Sequence, residues 1–213
     1  MIAVLDYGIG NLASAQKALA AVGVPSKLAS ESADVMGADG IVLPGVGAFG
    51  RCMDALRDCR LDSAVYRSID AGIPFLGICV GFQMLYEDSE ESPGVEGLGI
   101  LKGSVRRLSN TQKLPQMQWN RLELTCDERN GLFSGCGERP WMYFVHSYAP
   151  VPEEQSTEIA TCDYGGTVVA AVSRGNVAAV QFHPEKSGRS GLRLLKNFAD
   201  QCTRNSRAAS NNG

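Results

Sequence analysis

The chain has 213 residues, 44% of them hydrophobic and 20% charged, with a net charge of −3. That length suits one large domain needing no disulfide or metal staple, and that composition excludes wholesale disorder. A basic surplus is absent and no apolar run is long enough to cross a bilayer, so neither nucleic acid nor a membrane is an expected partner.

Apolar, β-branched runs alternate with helical stretches through the first half of the chain. Residues 2–5 predict a buried strand; a Gly-rich turn follows, and residues 12–22 predict a helix. Residues 26–29 and 40–43 predict strands, the second stopping at Pro44-Gly45. A helical pattern over 48–56 extends toward residue 71, with a break near 59–62. The short apolar strand 73–79 runs straight into a predicted helix over 80–88. This alternation predicts an α/β fold with a mainly parallel central sheet covered on both faces. After Pro93, six short strand candidates (105–108, 121–124, 141–145, 158–162, 168–172 and 177–181) predict an antiparallel extension of that sheet. A helix over 191–202 completes a single domain spanning residues 1–202, and the polar segment 203–213 is expected to fray.

The seven cysteines are odd in number and contain no C-x-x-C pair, and the only two histidines, His146 and His183, are far apart. That pattern matches neither a disulfide framework nor a zinc site, and no leading secretory segment is evident. A reducing cytoplasm, no metal and no cofactor are the expectations. Gly8-Ile9-Gly10-Asn11-Leu12-Ala13, with Glu31 further on, fits a loose dinucleotide fingerprint. The commoner origin of such a pattern is a backbone turn.

Gly77-Ile78-Cys79-Val80-Gly81 is sharper: it sets a thiol between glycines at a strand-to-helix corner, the geometry of a nucleophile elbow. A buried structural thiol is the alternative there, and it is the reading adopted for the cysteines at 52, 59, 126, 136, 162 and 202. His183-Pro184-Glu185 ends an apolar strand. Proline favours an extended residue before it; extended geometry through 185 would point His183 and Glu185 the same way, so the acid could fix the imidazole tautomer. A solvent-exposed strand end is the bland alternative, which the cysteine elbow outweighs. Pro44-Gly45-Val46-Gly47 reads either as oxyanion-binding backbone or as a plain loop. His146 reads either as a core histidine or as a rival base; lacking an acid two residues on, it ranks below His183.

Residues 77–83 together with 182–185 resemble the class I, triad-type glutamine amidotransferases. Residues 6–11, 44–47, 89–95, 143–148 and 181–187 narrow the resemblance to the glutaminase subunits of imidazole glycerol phosphate synthase, over about residues 1–202. It implies a flavodoxin-like fold with Cys79 as nucleophile, His183 as base and Glu185 orienting the base. It implies backbone N–H groups of Gly47 and Val80 as the oxyanion hole, and Gly45, Val46, Gln83, Ser147 and Tyr148 as the glutamine site.

The resemblance further implies a heterodimer with a β/α-barrel cyclase subunit. That partner uses the ammonia to make imidazole glycerol phosphate and AICAR in histidine biosynthesis. Ile9, Gly10, Asn11, Met117, Trp119 and Lys186 would face it, and the Val46-Gly47 backbone would be misaligned until the partner binds its ligand. The chain departs from the family's P-H-M-G-W-N, with Pro115-Gln116-Met117-Gln118-Trp119-Asn120, and Phe82 stands where Met is commoner. Alternatives are a paralogue feeding another synthase, a stand-alone cysteine hydrolase, and a non-catalytic dinucleotide-binding module.

Overall fold

The computed structural model describes residues 1–125 and 131–211. In chain order it contains β1 (Ile2–Leu5), α1 (Leu12–Ala21), β2 (Ser26–Ala29), α2 (Ser32–Met36), β3 (Gly40–Gly45), α3 (Phe49–Asp58), α4 (Leu61–Asp70), β4 (Phe75–Cys79) and α5 (Val80–Gln83). The second half contains β5 (Asp88–Ser89), β6 (Gly103–Arg107), β7 (Gln116–Arg121), β8 (Glu123–Leu124), β9 (Trp141–His146), β10 (Tyr148–Pro152), β11 (Glu158–Asp163), β12 (Thr167–Arg174), β13 (Val177–Val180) and α6 (Gly188–Asn211).

The central eight-stranded sheet has the order β2-β1-β3-β4-β13-β12-β11-β8. Its first five strands run parallel, and β12, β11 and β8 complete it with antiparallel pairings. Strands β1, β3, β4 and β13 are buried along their whole length, as strands covered on both faces must be. Gly45 at the end of β3 lies in register with Cys79 at the end of β4, so both loops emerge at one carboxyl edge of the sheet. Open parallel sheets bind ligands at such an edge.

The structure revises several expectations. Only part of the second half extends the main sheet: β6 joins a three-stranded sheet ordered β10-β6-β5, and β9 pairs with β7 in a separate ribbon. Strand β13 pairs antiparallel with β12 across a tight turn but parallel with β4, so it belongs to the parallel core. Strand β3 runs on through Pro44-Gly45. The helix expected over 80–88 is a single turn. The carbonyls of Met84, Leu85 and Glu87 accept hydrogen bonds from Leu98, Leu101 and Gly97, which replaces continued helical pairing with loop contacts. The C-terminal helix continues past residue 202 to Asn211 where fraying was expected; Asn205 Nδ2 donates to the Gly72 carbonyl at 3.1 Å and ties that stretch down. Cys126 lies outside the described residues. Among the described residues, no helix is long and apolar enough to cross a membrane.

Candidate active site

Cys79 occupies the corner between β4 and α5 with φ 56° and ψ −111°, a conformation that non-glycine residues rarely adopt. Strain of this kind costs on the order of 1–3 kcal/mol and persists only where the surroundings enforce it. The enforcement is visible in two glycines. A Cβ on Gly81 would lie 2.0 Å from the Leu43 carbonyl oxygen, and one on Gly45 would lie 2.5 Å from the Gly81 nitrogen. Only bare backbone lets β3 and the elbow approach this closely.

His183 is extended, with φ −101° and ψ 97°, as a residue before proline should be. The extended run stops there, however: residues 184–186 form a 3₁₀ turn, so the expected same-side strand geometry of His183 and Glu185 does not hold. The turn delivers the carboxylate by another route, and His183 Nδ1–H donates to Glu185 Oε1 at 2.8 Å. Ser187 staples the turn by donating to the His183 carbonyl at 2.6 Å while accepting the Tyr143 N–H at 3.0 Å. Burial opposes charge on His183, but the facing Cys79 thiol and the Glu185 carboxylate outweigh it and push its pKa up to about 10. With Nδ1 committed to Glu185, Nε2 is left for the thiol, which is a nucleophile–base–orienter arrangement.

A cavity of about 220 Å³ opens over these groups. Val46, Gly47, Val80, Gln83, Ser147 and Tyr148 line it together with Cys79 and His183, so most residues singled out in the sequence converge there. Gly45 does not: it is still paired in β3 and lines a separate void of about 10 Å³ with Asn11, His183 and Glu185. Behind the 44–47 segment, Tyr7 Oη donates to the Pro44 carbonyl at 2.7 Å and the Cys52 thiol donates to the Val46 carbonyl at 3.3 Å.

Three further residues belong to the site. Glu91 lines the cavity while one oxygen accepts the Phe49 N–H at 2.8 Å, supplying α3 with a cap that its own Ala48 lacks. Gln181 Nε2 lies 3.8 Å from Cys79 Sγ, and its Oε1 accepts from Gln83 Nε2 at 3.1 Å. His146 also lines the cavity, but burial holds it down to about 4, the nearby His183 charge adding to that effect and its bond to the Tyr148 carbonyl opposing it. As a neutral imidazole donating from Nδ1 to that carbonyl at 2.8 Å, it is a poor rival base. The sequence signal for Glu91 was the 89–95 motif, which gave it no role; Gln181 and His146 owe their places to contacts across the sheet edge. Among the described residues, no group of three or more His, Cys, Asp or Glu could hold a metal ion.

The family model for glutamine amidotransferase class-I matches residues 3–202. The chain belongs to this family. Curated relatives of this amidotransferase include the imidazole glycerol phosphate synthase subunit HisH of Oceanobacillus iheyensis, 46% identical over 94% of this chain and 98% of that protein. The protein of the same name from Symbiobacterium thermophilum is 48% identical over 92% of each chain. A solved glutamine amidotransferase superimposes with a TM-score of 0.73 at 22% identity, covering 95% of this chain and 98% of that one. A putative GMP synthase component from Thermoplasma acidophilum gives 0.74 at 23%, covering 98% and 96%. At those identities the structures speak to the fold alone, and it is the class I amidotransferase fold.

Of the residues expected to face a partner of this amidotransferase, Asn11, Trp119 and Lys186 lie at or beside the 184–186 turn. Met117, Trp119 and Lys186 are exposed, Met117 by 62%. The Trp119 ring lies 3.9 Å from the Cβ position of Gly188, beside the 184–186 turn. Ile9, Gly10 and Asn11 are half-buried rather than exposed. Their turn packs on β3, the Cβ position of Gly10 falling 3.4 Å from Pro44 Cγ. Gly8 and Gly10 take φ of 79° and 137°, left-handed backbone that favours glycine, so a turn suffices to account for their spacing.

Proposed function

We propose that this chain hydrolyses glutamine to glutamate and ammonia and feeds the ammonia to a cyclase subunit in histidine biosynthesis. The observation that carries the chemistry is the strained Cys79 facing His183, itself paired with buried Glu185, on the wall of a cavity large enough for a free amino acid. The named relatives, similar over nearly their whole length, support the choice of glutaminase subunit over a paralogue feeding another synthase or a dinucleotide-binding module.

In this reading the Cys79 sulfur, its proton already passed to His183, attacks the carboxamide carbon of glutamine, and the His183 imidazolium gives that proton to the departing nitrogen. The Gly47 and Val80 N–H groups hold the developing oxyanion. Water, activated by His183, then cleaves the thioester. Val46, Gln83, Ser147 and Tyr148 contact the substrate, and Glu91 supplies a carboxylate suited to its α-ammonium group. Gly45 contributes by close packing beneath them. No metal or cofactor enters these steps.

Ammonia released into neutral water is largely protonated and unreactive, so a shielded path to a second site preserves it. The partner in this proposal is a β/α-barrel cyclase forming a heterodimer in the cytoplasm, docked over Ile9, Gly10, Asn11, Met117, Trp119 and Lys186. The experiment is glutamate release by the purified chain with and without the cyclase and its ribonucleotide. Strong stimulation supports the reading; none from that partner contradicts the choice of partner, while partner-independent turnover on other amides would favour a stand-alone hydrolase.

A further inference from the structure

The extended segment that carries His183 meets β9 at Tyr143, and the pairing there is irregular. Two residues that form a hydrogen-bonded antiparallel pair give each other their N–H groups. Tyr143 and His183 exchange one such bond directly, the His183 N–H donating to the Tyr143 carbonyl at 2.9 Å. The return bond is relayed: the Tyr143 N–H donates to Ser187 Oγ at 3.0 Å, and Ser187 Oγ–H donates to the His183 carbonyl at 2.6 Å. One hydroxyl stands inside the pair as acceptor and donor at once, closing a ring of three hydrogen bonds.

Ser187 is itself held in place. Its N–H donates to the Pro184 carbonyl and its carbonyl accepts the Gly191 N–H, both at 3.1 Å. The residue is 2% exposed, and a Cβ on Gly191 would fall 2.8 Å from Ser187 Cβ. The width of the hydroxyl keeps the Tyr143 nitrogen and the His183 carbonyl oxygen from bonding directly. Without it the Tyr143 N–H loses its acceptor, a cost relieved when the His183 backbone swings in to bond it. That swing would carry the imidazole with it, and Glu185 two residues on. Val46, Gln83 and Tyr148, assigned to the substrate, stand on other elements.

We infer that Ser187 is a positioning residue: its hydroxyl is a spacer in the Tyr143–His183 pair and sets the aim of the imidazole toward Cys79. The inference deepens the glutaminase reading and rests on it. Ser187 does not line the cavity over Cys79; it acts through the His183 main chain. Its loss should therefore slow chemistry far more than it weakens glutamine binding.

The test compares wild type, Ser187→Ala, Ser187→Thr and Ser187→Cys as full chains. Glutamine kcat and KM are measured at saturating cyclase and ribonucleotide, and the Tyr143 amide and His183 carbonyl ¹³C resonances on the free chain. Ser187→Ala is expected to lower kcat about 30-fold with KM within about twofold, and to move both resonances. Ser187→Thr keeps the hydroxyl and should recover kcat to within about fivefold of wild type, even where its added methyl lowers the melting temperature as much as alanine does. A Ser187→Ala kcat within about threefold of wild type overturns the inference, whether or not KM rises. So does a Ser187→Thr variant as slow as Ser187→Ala, which is the signature of packing alone. Should either variant fail to fold, Ser187→Cys decides, because a thiol keeps the shape but donates and accepts weakly. A slowed kcat with a displaced Tyr143 amide supports the spacer there, and wild-type kcat with both resonances unmoved contradicts it. Absence of glutamate release by wild type would instead sink the glutaminase reading, and the resonances would still judge the spacer.

Discussion

Replacing Glu185 with Gln probes the charge balance of the site most sharply. His183 is 3% exposed, yet its pKa stands near 10 rather than 6.5. That difference corresponds to about 5 kcal/mol in favour of the imidazolium at this position. Glu185 is one of the two groups responsible, and its other oxygen, Oε2, is buried without a partner, so the carboxylate's strong bond is committed to His183. Glutamine keeps an oxygen for Nδ1–H but removes the charge and admits the wrong tautomer, so kcat for glutamate release should fall about 10³-fold with little change in KM. The fold should respond too. A histidine whose pKa is raised on folding contributes stability that is complete below about pH 6.5 and is lost as pH climbs toward 10. Urea titrations across that window should show the loss in wild type and a flattened profile in Glu185→Gln. A variant with kcat within threefold of wild type and an unaltered pH profile would refute the pairing.

Other consequences follow from individual contacts. His146 has its pKa lowered to about 4, so the unfolded chain binds its proton more readily; stability should fall by about 3 kcal/mol as pH drops from 6.5 to 4, and urea midpoints of His146→Gln should not show that fall. Gly81→Ala would force a Cβ to within 2.0 Å of a backbone oxygen and should destabilise the fold by several kcal/mol or prevent its accumulation, as thermal melts will report. Trp119→Ala paired with Met117→Ala removes exposed apolar surface from β7 and should weaken cyclase affinity by tenfold or more in calorimetry, with the free chain's melting temperature within a few degrees of wild type.

The parts of the site written in local chemistry were legible in the sequence. Glycines at 77 and 81 around Cys79 mark a crowded corner, and His183-Pro184-Glu185 sets a histidine and an acid at short range; each alone also fits a structural reading, and the two together carried the signal. The geometry linking those two was not legible: the alternation of a strand suggested i, i+2 alignment, whereas a 3₁₀ turn stapled by Ser187 supplies the contact. Glu91 was harder still, because its use depends on Phe49, 42 positions earlier, arriving at its carboxylate. Strands after Pro93 were recognised individually, but β-branched alternation looks the same whether a strand joins the main sheet, as β11 does, or a separate ribbon, as β9 does. The 80–88 helix failed for a related reason: its carbonyls are claimed by residues 97–101, a long-range competition that periodicity cannot register.

Mass spectrometry of the chain quenched during glutamine turnover, in complex with the cyclase and its ribonucleotide, tests the central claim most directly. The account predicts a glutamyl adduct on the peptide carrying Cys79, accumulating and then decaying as glutamate appears, and absent from Cys79→Ala, which should release no glutamate. Glutamate release at the wild-type rate by Cys79→Ala, or an adduct on any other cysteine, would contradict it.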